Sequence, residues 1–538
     1  MELFTVLLFS SNTIYLLMVC VLVTLGLLLS EFQQKVKVKS DLLKLVREVL
    51  FGQLLWLWPV ISVKDENNNN SNPLVKVPRK APGPRRLPII GNLKELDGYA
   101  VPYQAFSVLA KKYGPVVDLK LGFVNAVVVT GIDNIRTVLY DKNRQFDSRP
   151  NFRRYQLLFS GNKENSLAFC DWSETQRVRR EMLMPHSFPR SSSRLNDLNN
   201  MIVEEINFVV GESHNDRVVA IKPIILSICA NVFSQYFASY RFDLEDPKFQ
   251  KLVKNFDLIF YEVNQGYAAD FLPFLLPFHR KNLKRMDQLT EEIREIMLDS
   301  IINDRYDNWV EGDKANDYVD SLIQHVKTNI GPEMEWETAL FALEDIIGGH
   351  AAVGNFLVKT FGYIVQNAEV QQKIQAEVDH VLEERGKQCI DFSDHNQLHY
   401  TEAVVMESLR LIASPIVPHV ANQDSQIGGY DVPKDTLIFL NNYDLSMSDS
   451  LWESPEKFMP ERFLKNGRYV KPEFFLPFGI GRRSCMGYKI ALLMSFSIIA
   501  NLLKQYSITP LPGRSYFVPV GSLAMPEKSY EFQISPRH

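Results

Sequence analysis

Apolar residues follow several distinct rhythms along this chain. The first is unbroken: residues 3–30 carry no charge, and the densest part, about 12–30, is long enough to cross a bilayer as one helix. A cleaved signal peptide is the competing reading, but no charged segment precedes the run and no small-residue cleavage site follows it. Lys35, Lys37, Lys39, Lys44 and Arg47 follow the run, against Glu2 before it, a bias that predicts the bulk of the chain on the cytosolic side. A second apolar stretch, 49–63, is short for a span and holds Trp56, Trp58 and Pro59. It reads either as an interfacial segment or as a linker helix packed on the domain.

Beyond it the pattern becomes that of a globular protein. Residues 65–72 are polar, with nothing to bury, and predict a solvated linker. Asn69-Asn70-Ser71 there is formally a glycosylation acceptor that this topology would leave bare. Prolines and basic residues alternate over 78–88, predicting a stiff extended hinge whose charge suits anionic headgroups. Two short strand-like runs, 116–121 and 126–129, flank Gly122-Phe-Val-Asn125 and predict a hairpin. Helical periods dominate 132–410. Within them 336–364 has no proline and predicts one long helix, and 401–411 predicts another. Residues 427–441, broken by Gly428-Gly429 and Pro433, read as short strands, and 488–503 as an apolar helix. The aromatic stretch 256–278, with Phe260, Tyr261, Phe271, Phe274 and Phe278, reads as core packing, as the roof of an apolar chamber, or as a membrane-surface entry path.

These elements predict a mainly α fold with small β-sheets (α+β). One large domain, 89–538, stands behind an anchor (1–63) and a linker with hinge (64–88). A net charge of −4 argues against a nucleic-acid partner, which needs a basic face. The five cysteines are odd in number and scattered, so they form no disulfide framework and indicate a reducing compartment.

One of them, Cys485, lies in the loop 472–487, rich in Gly, Pro and Phe, just before the last helical run. A helix start aimed at the sulfur favours the thiolate, the metal-ligating form. Gly479, Gly481 and Gly487 permit close approach of a flat group. Phe478 offers it a face and Arg483 a fixed cation. A buried structural thiol is the plain alternative. A zinc site lacks partner ligands nearby, and a dinucleotide loop lacks the preceding strand.

The spacing Phe478-x-x-Gly481-x-Arg483-x-Cys485-x-Gly487 resembles the haem-binding loop of the cytochrome P450 family. That resemblance implies haem b with Cys485 as axial thiolate, and a monooxygenase using dioxygen and reductase-supplied electrons. It extends from about residue 78 to the end. The hinge 78–88 is similar to the proline-rich segment of microsomal members, implying an endoplasmic reticulum anchor. Glu407-x-x-Arg410 followed by Pro460-Glu-Arg462-Phe463 resembles the family's structural Glu–Arg–Arg network. Residues 171–180 predict the opening of a helix with Asp171 as its N-cap. Trp172 stands in the propionate-binding motif Trp-x-x-x-Arg, but Gln176 occupies the arginine position. Arg179 or Arg180 then takes the propionate, or Gln176 bonds it without charge. His419 in Pro418-His419 is similar to the family's propionate-reaching basic step, or is a surface histidine.

Where members carry an acid–alcohol pair in the helix over the haem, this chain reads Gly348-Gly349-His350-Ala351-Ala352. The two glycines suggest a local bulge. Proton delivery would fall to His350, Glu344, Asp345, water or the substrate; His350 has a core reading as well. The gap keeps open a haem-thiolate isomerase, dehydratase or peroxide-using enzyme, and a haem-dependent sterol carrier. Three segments together (Phe169-Cys-Asp-Trp172, the glycine-pair helix and the cysteine loop) resemble the insect "spook" group of Halloween cytochromes. That implies a sterol-like substrate in early ecdysteroid synthesis from 7-dehydrocholesterol. The absence of any flavin-sized domain implies a separate NADPH-cytochrome reductase, docking on a basic face with Arg482 and Lys489.

Overall fold

The computed structural model describes residues 79–537 apart from 190, 212–216 and 329–334. The expected membrane span, the 49–63 stretch and the polar linker lie outside the described residues. Helices follow the apolar periods. Ile221–Ala238 and Trp336–Gln366 are apolar almost all round, a pattern that is stable only inside protein, and they run together through the largest core. Ile221–Ala238 is apolar enough to cross a membrane, but 78% of it is buried in the fold, so it is a core helix. Pro247–Val263, Ala368–Arg385, His399–Ile412 and Tyr488–Gln505 pack against this pair or each other.

The sheets are small. A four-stranded sheet runs in the order Val116–Leu121, Val124–Val129, Leu437–Leu440, His419–Val420. Its second and third strands pair in parallel, so the sequence-distant strand Leu437–Leu440 locks onto the early hairpin. A second sheet joins Tyr506–Pro510, Glu531–Pro536 and Arg217–Ala220.

Several local expectations shift. The hairpin turns tighter than its spacing suggested: Val124 already pairs with Leu121, leaving Gly122-Phe123 as the loop. Ser173, not Asp171, caps the helix Glu174–Ser187, its hydroxyl accepting from the Gln176 amide. Asp171 instead accepts from the Arg149 amide and the Lys163 ammonium.

The glycine pair makes no bulge. Trp336–Gln366 stays α-helical throughout, and a Cβ on Gly348 would lie 2.9 Å from the ring of Phe256, one on Gly349 3.1 Å from Phe233. The glycines admit two aromatic rings against the helix rather than opening it. The described part of the hinge is extended but docked. Pro82 accepts from the Asp118 amide, and Lys80 and Arg86 pair with the Asp118 carboxylate, so neither cation is free for a headgroup. The aromatic run 256–278 divides: Phe256 is core, while Phe278 is 84% exposed.

Candidate active site

Cys485 closes a loop whose shape the glycines set. Gly481 has φ +75°, and a Cβ there would sit 2.0 Å from the Leu139 carbonyl oxygen, so only glycine lets the loop lie against that neighbour. The Cys485 amide donates to the Phe478 carbonyl at 3.0 Å, and the helix Tyr488–Gln505 starts three residues on. The accessible surface of Cys485 faces an internal cavity of about 400 Å³. Burial pushes its thiol pKa up, and the Gly487 amide and Arg180 pull it down. The thiolate therefore needs a cation at the sulfur to be the stable form.

The cavity wall is mostly apolar. Gly349, Ala352, Val353 and Phe356 come from Trp336–Gln366, Phe233 from Ile221–Ala238, and Ile412 to Val417 from the end of the His399–Ile412 helix and beyond. Phe478, Arg483 and Gly487 line it beside the sulfur. Against this stand three guanidiniums, Arg149, Arg180 and Arg483, and one carboxylate, Asp345. Burial drives Arg149 well below its usual range and Arg180 to about 10. Arg149 donates to the carbonyls of Val417 and Pro418, Arg483 to that of Cys170, and Arg180 to that of Ser484. Arg483 Nε is buried with no partner among the described residues. Three cations, Arg149 and Arg483 buried and Arg180 half-buried, facing one acid beside a single thiol and an aromatic face, fit a flat apolar group carrying carboxylates and a metal. Among the described residues no three His, Cys, Asp or Glu side chains group as a metal cage, in keeping with a one-thiolate site.

Arg149 is the cavity-wall cation that sequence reasoning missed. Its only signal is an arginine set among Phe146, Pro150 and Phe152, and two of the carbonyls it bonds, those of Val417 and Pro418, lie more than 260 residues away.

The other candidates separate. Of the two arginines after Trp172, Arg180 faces the cavity while Arg179 is buried behind it, donating to the carbonyls of Glu164 and Asn165. Gln176 donates to the Leu167 carbonyl and is off the wall. Trp172 is also off the wall, its ring 4.5 Å from the Arg482 guanidinium. Arg482 pairs with buried Asp147 at 2.7 Å, so it is no free surface cation. Lys489 is exposed. His419 is buried rather than on the surface; it donates from Nδ1 to the Phe146 carbonyl at 2.5 Å and lies outside the cavity lining. Burial and Arg149 hold it neutral, with Nε2 unpartnered among the described residues.

Of the proton-donor candidates, the geometry removes two from the cavity wall. His350 is fully buried, edge-on to Phe256 at 5.2 Å, donates to the Ile347 carbonyl, and is pushed down to about 4. Glu344 turns to Arg294 at 3.3 Å. Asp345 remains on the wall, its Oδ2 accepting from Ser166 Oγ at 2.9 Å and the Leu167 amide at 2.5 Å, its pKa raised by burial.

The expected three-residue network is assembled away from the cavity. Arg410 donates through Nε and one terminal nitrogen to both Glu407 oxygens at 2.7 Å, and Arg462 reaches the same carboxylate at 3.2 Å. Arg410 also donates to the carbonyls of Ser446 and Pro455, so every charge is answered in a fully buried place.

A family model described as cytochrome P450 matches residues 81–534. Cytochrome P450 307a1 of Drosophila melanogaster is 36% identical over 518 residues, which cover 91% of this chain and 95% of that protein. Farnesoate epoxidase of Bombyx mori is 31% identical over 481 residues, 85% of this chain and 94% of the relative. Steroid 17-alpha-hydroxylase/17,20 lyase of Cavia porcellus is 29% identical over 459 residues, 80% and 87% of the two chains.

Proposed function

The chain belongs to the cytochrome P450 family of haem-thiolate monooxygenases, and on that premise we propose that it oxidises an apolar sterol delivered from the membrane. The reaction we assign is an early step of ecdysteroid synthesis from 7-dehydrocholesterol. The observation that carries the reading is the enclosed, largely apolar cavity above Cys485. Relatives named for a steroid and for farnesoate are in keeping with it.

When bound, haem supplies the oxygen-activating chemistry, and ligation by thiolate favours O–O cleavage. The chain's own residues do the rest. Cys485 provides the sulfur, and Arg149, Arg180 and Arg483 neutralise the carboxylates of the bound group. Gly349, Ala352, Val353 and Phe356 exclude water and shape the substrate's berth. We assign the proton to Asp345, because neither Ala351 nor Ala352 carries one that can be donated and Asp345 is the carboxyl on the cavity wall, its pKa raised by burial.

Electrons come from a redox partner. We assign that partner as NADPH-cytochrome reductase in the endoplasmic reticulum membrane, docked near exposed Lys489, with residues 12–30 as a single-pass anchor and 89–538 as the cytosolic catalytic domain.

Membranes carrying the full chain and the reductase, incubated with 7-dehydrocholesterol and related sterols, should yield products one or more oxygen atoms heavier, dependent on NADPH. Conversion without reductase, or with peroxide alone, would instead assign the isomerase, dehydratase or peroxide-using chemistry that the two alanines leave open. Binding without any conversion would leave a sterol carrier. No response to any sterol overturns the substrate assignment.

A further inference from the structure

Residues 511–529 form no regular secondary structure, yet Leu523 within them reaches the cavity wall. An irregular segment at that depth must find partners for its backbone groups elsewhere. They are found on two helices. Lys222, in Ile221–Ala238, donates to the carbonyls of Met525 at 2.9 Å and Pro526 at 3.0 Å. Asn355, in Trp336–Gln366, accepts from the Met525 amide at 2.9 Å. Lys359, one turn further on, donates to the carbonyls of Pro519 and Ser522.

Asp257, in Pro247–Val263, joins the first two: it pairs with Lys222 at 2.6 Å and accepts from Asn355 at 2.8 Å. Lys222, Asp257, Asn355 and Lys359 are 2%, 5%, 0% and 0% exposed. Buried charges carry a desolvation cost that apolar residues would avoid, so this cluster is poor stability but good register. Asp257 follows Phe256, the ring held against Gly348, and Asn355 sits between Val353 and Phe356 of the cavity wall. The cluster thus couples two helices of the cavity wall to an irregular part of it.

We propose that Lys222, Asp257 and Asn355, with Lys359 beside them, are specificity-determining positioning residues that fix how deep Leu523 projects over Cys485. They set the length and bulk of ligand the cavity admits without touching it. This rests on family membership and not on the sterol assignment.

The test uses two nitrogenous probes of the holoenzyme, small imidazole and bulky clotrimazole, each titrated by the shift of the Soret band. The double variant Lys222→Met with Asp257→Leu replaces the pair by apolar residues and so keeps no charge unpaired. It should retain haem and bind imidazole within twofold of the wild type, while its Kd for clotrimazole changes at least tenfold. Lys359→Met should shift the same ratio in the same direction. Equal shifts for both probes, or none, overturn the proposal and leave the cluster merely structural. Should the variants fail to fold, amide exchange in the wild-type holoenzyme decides. The Gly521 and Met525 amides, bonded to Ile412 and Asn355, must exchange far more slowly than those of 513–515. Equal exchange across the segment also overturns it.

Discussion

Among the described residues the Arg149 guanidinium has no carboxylate partner and spends its hydrogen bonds on backbone carbonyls, which leaves its charge for whatever fills the cavity. Arg149→Leu should therefore weaken retention of haem, not the fold. A hydrogen bond to a charged group is worth about 1.5–3 kcal/mol, or roughly 10- to 100-fold in affinity. Haem transfer to an acceptor protein measures it, with far-UV dichroism as the control. Asp345 makes a different prediction. If it holds the proton, Asp345→Asn keeps the Ser166 and Leu167 contacts but removes the acid, and general-acid loss costs about 10²–10⁴ in rate. Product formed per NADPH consumed should fall at least about tenfold, with peroxide released instead. Unchanged coupling would move the role to water or substrate.

Elements were legible wherever one chain segment sufficed to specify them. The helix Trp336–Gln366 followed from an apolar run without proline, the hairpin from two strands about a glycine, and the Glu407–Arg410 face from three-residue spacing. What escaped depended on distant partners. The Asp171 side chain looked like a helix cap but is claimed by Arg149 and Lys163. The glycine pair looked like a bulge because its aromatic neighbours, Phe256 and Phe233, are about a hundred residues earlier. Gly348→Val tests the close-packing account: overpacking costs about 1–3 kcal/mol, read as a lower unfolding temperature, and Phe256→Leu in the same chain should recover part of it. A flexible-hinge account predicts no such recovery. Glu407→Gln strips the carboxylate from two buried guanidiniums. Breaking a buried pair costs about 3–5 kcal/mol, enough to leave little soluble protein, measured as yield and denaturant midpoint.

Across the molecule, buried acids tie stability to pH. Burial raises Glu344 to about 8, Glu402 to about 7 and Asp270 to about 6. Each holds its proton more tightly folded than unfolded. Their contribution is complete below pH ~4, the unfolded value, and is lost as pH climbs through 6 to 8. Buried His350, held down to about 4, and Lys359, held to about 7, act the opposite way, so the readout is a difference: the unfolding temperature of Glu344→Gln relative to the wild type should rise from pH 5.5 to 8.5. An identical slope in that variant would show that Arg294 already keeps Glu344 ionised.

The clamp of Glu407, Arg410 and Arg462 also bears on the order of assembly. Synthesis from the N-terminus delivers both halves of the clamp before Cys485 leaves the ribosome. The clamp can close without haem, because none of its three side chains lines the cavity, whose last wall residue, Leu523, is made later. Loss of the clamp would then appear in cells as colourless, rapidly degraded polypeptide rather than as a slow enzyme.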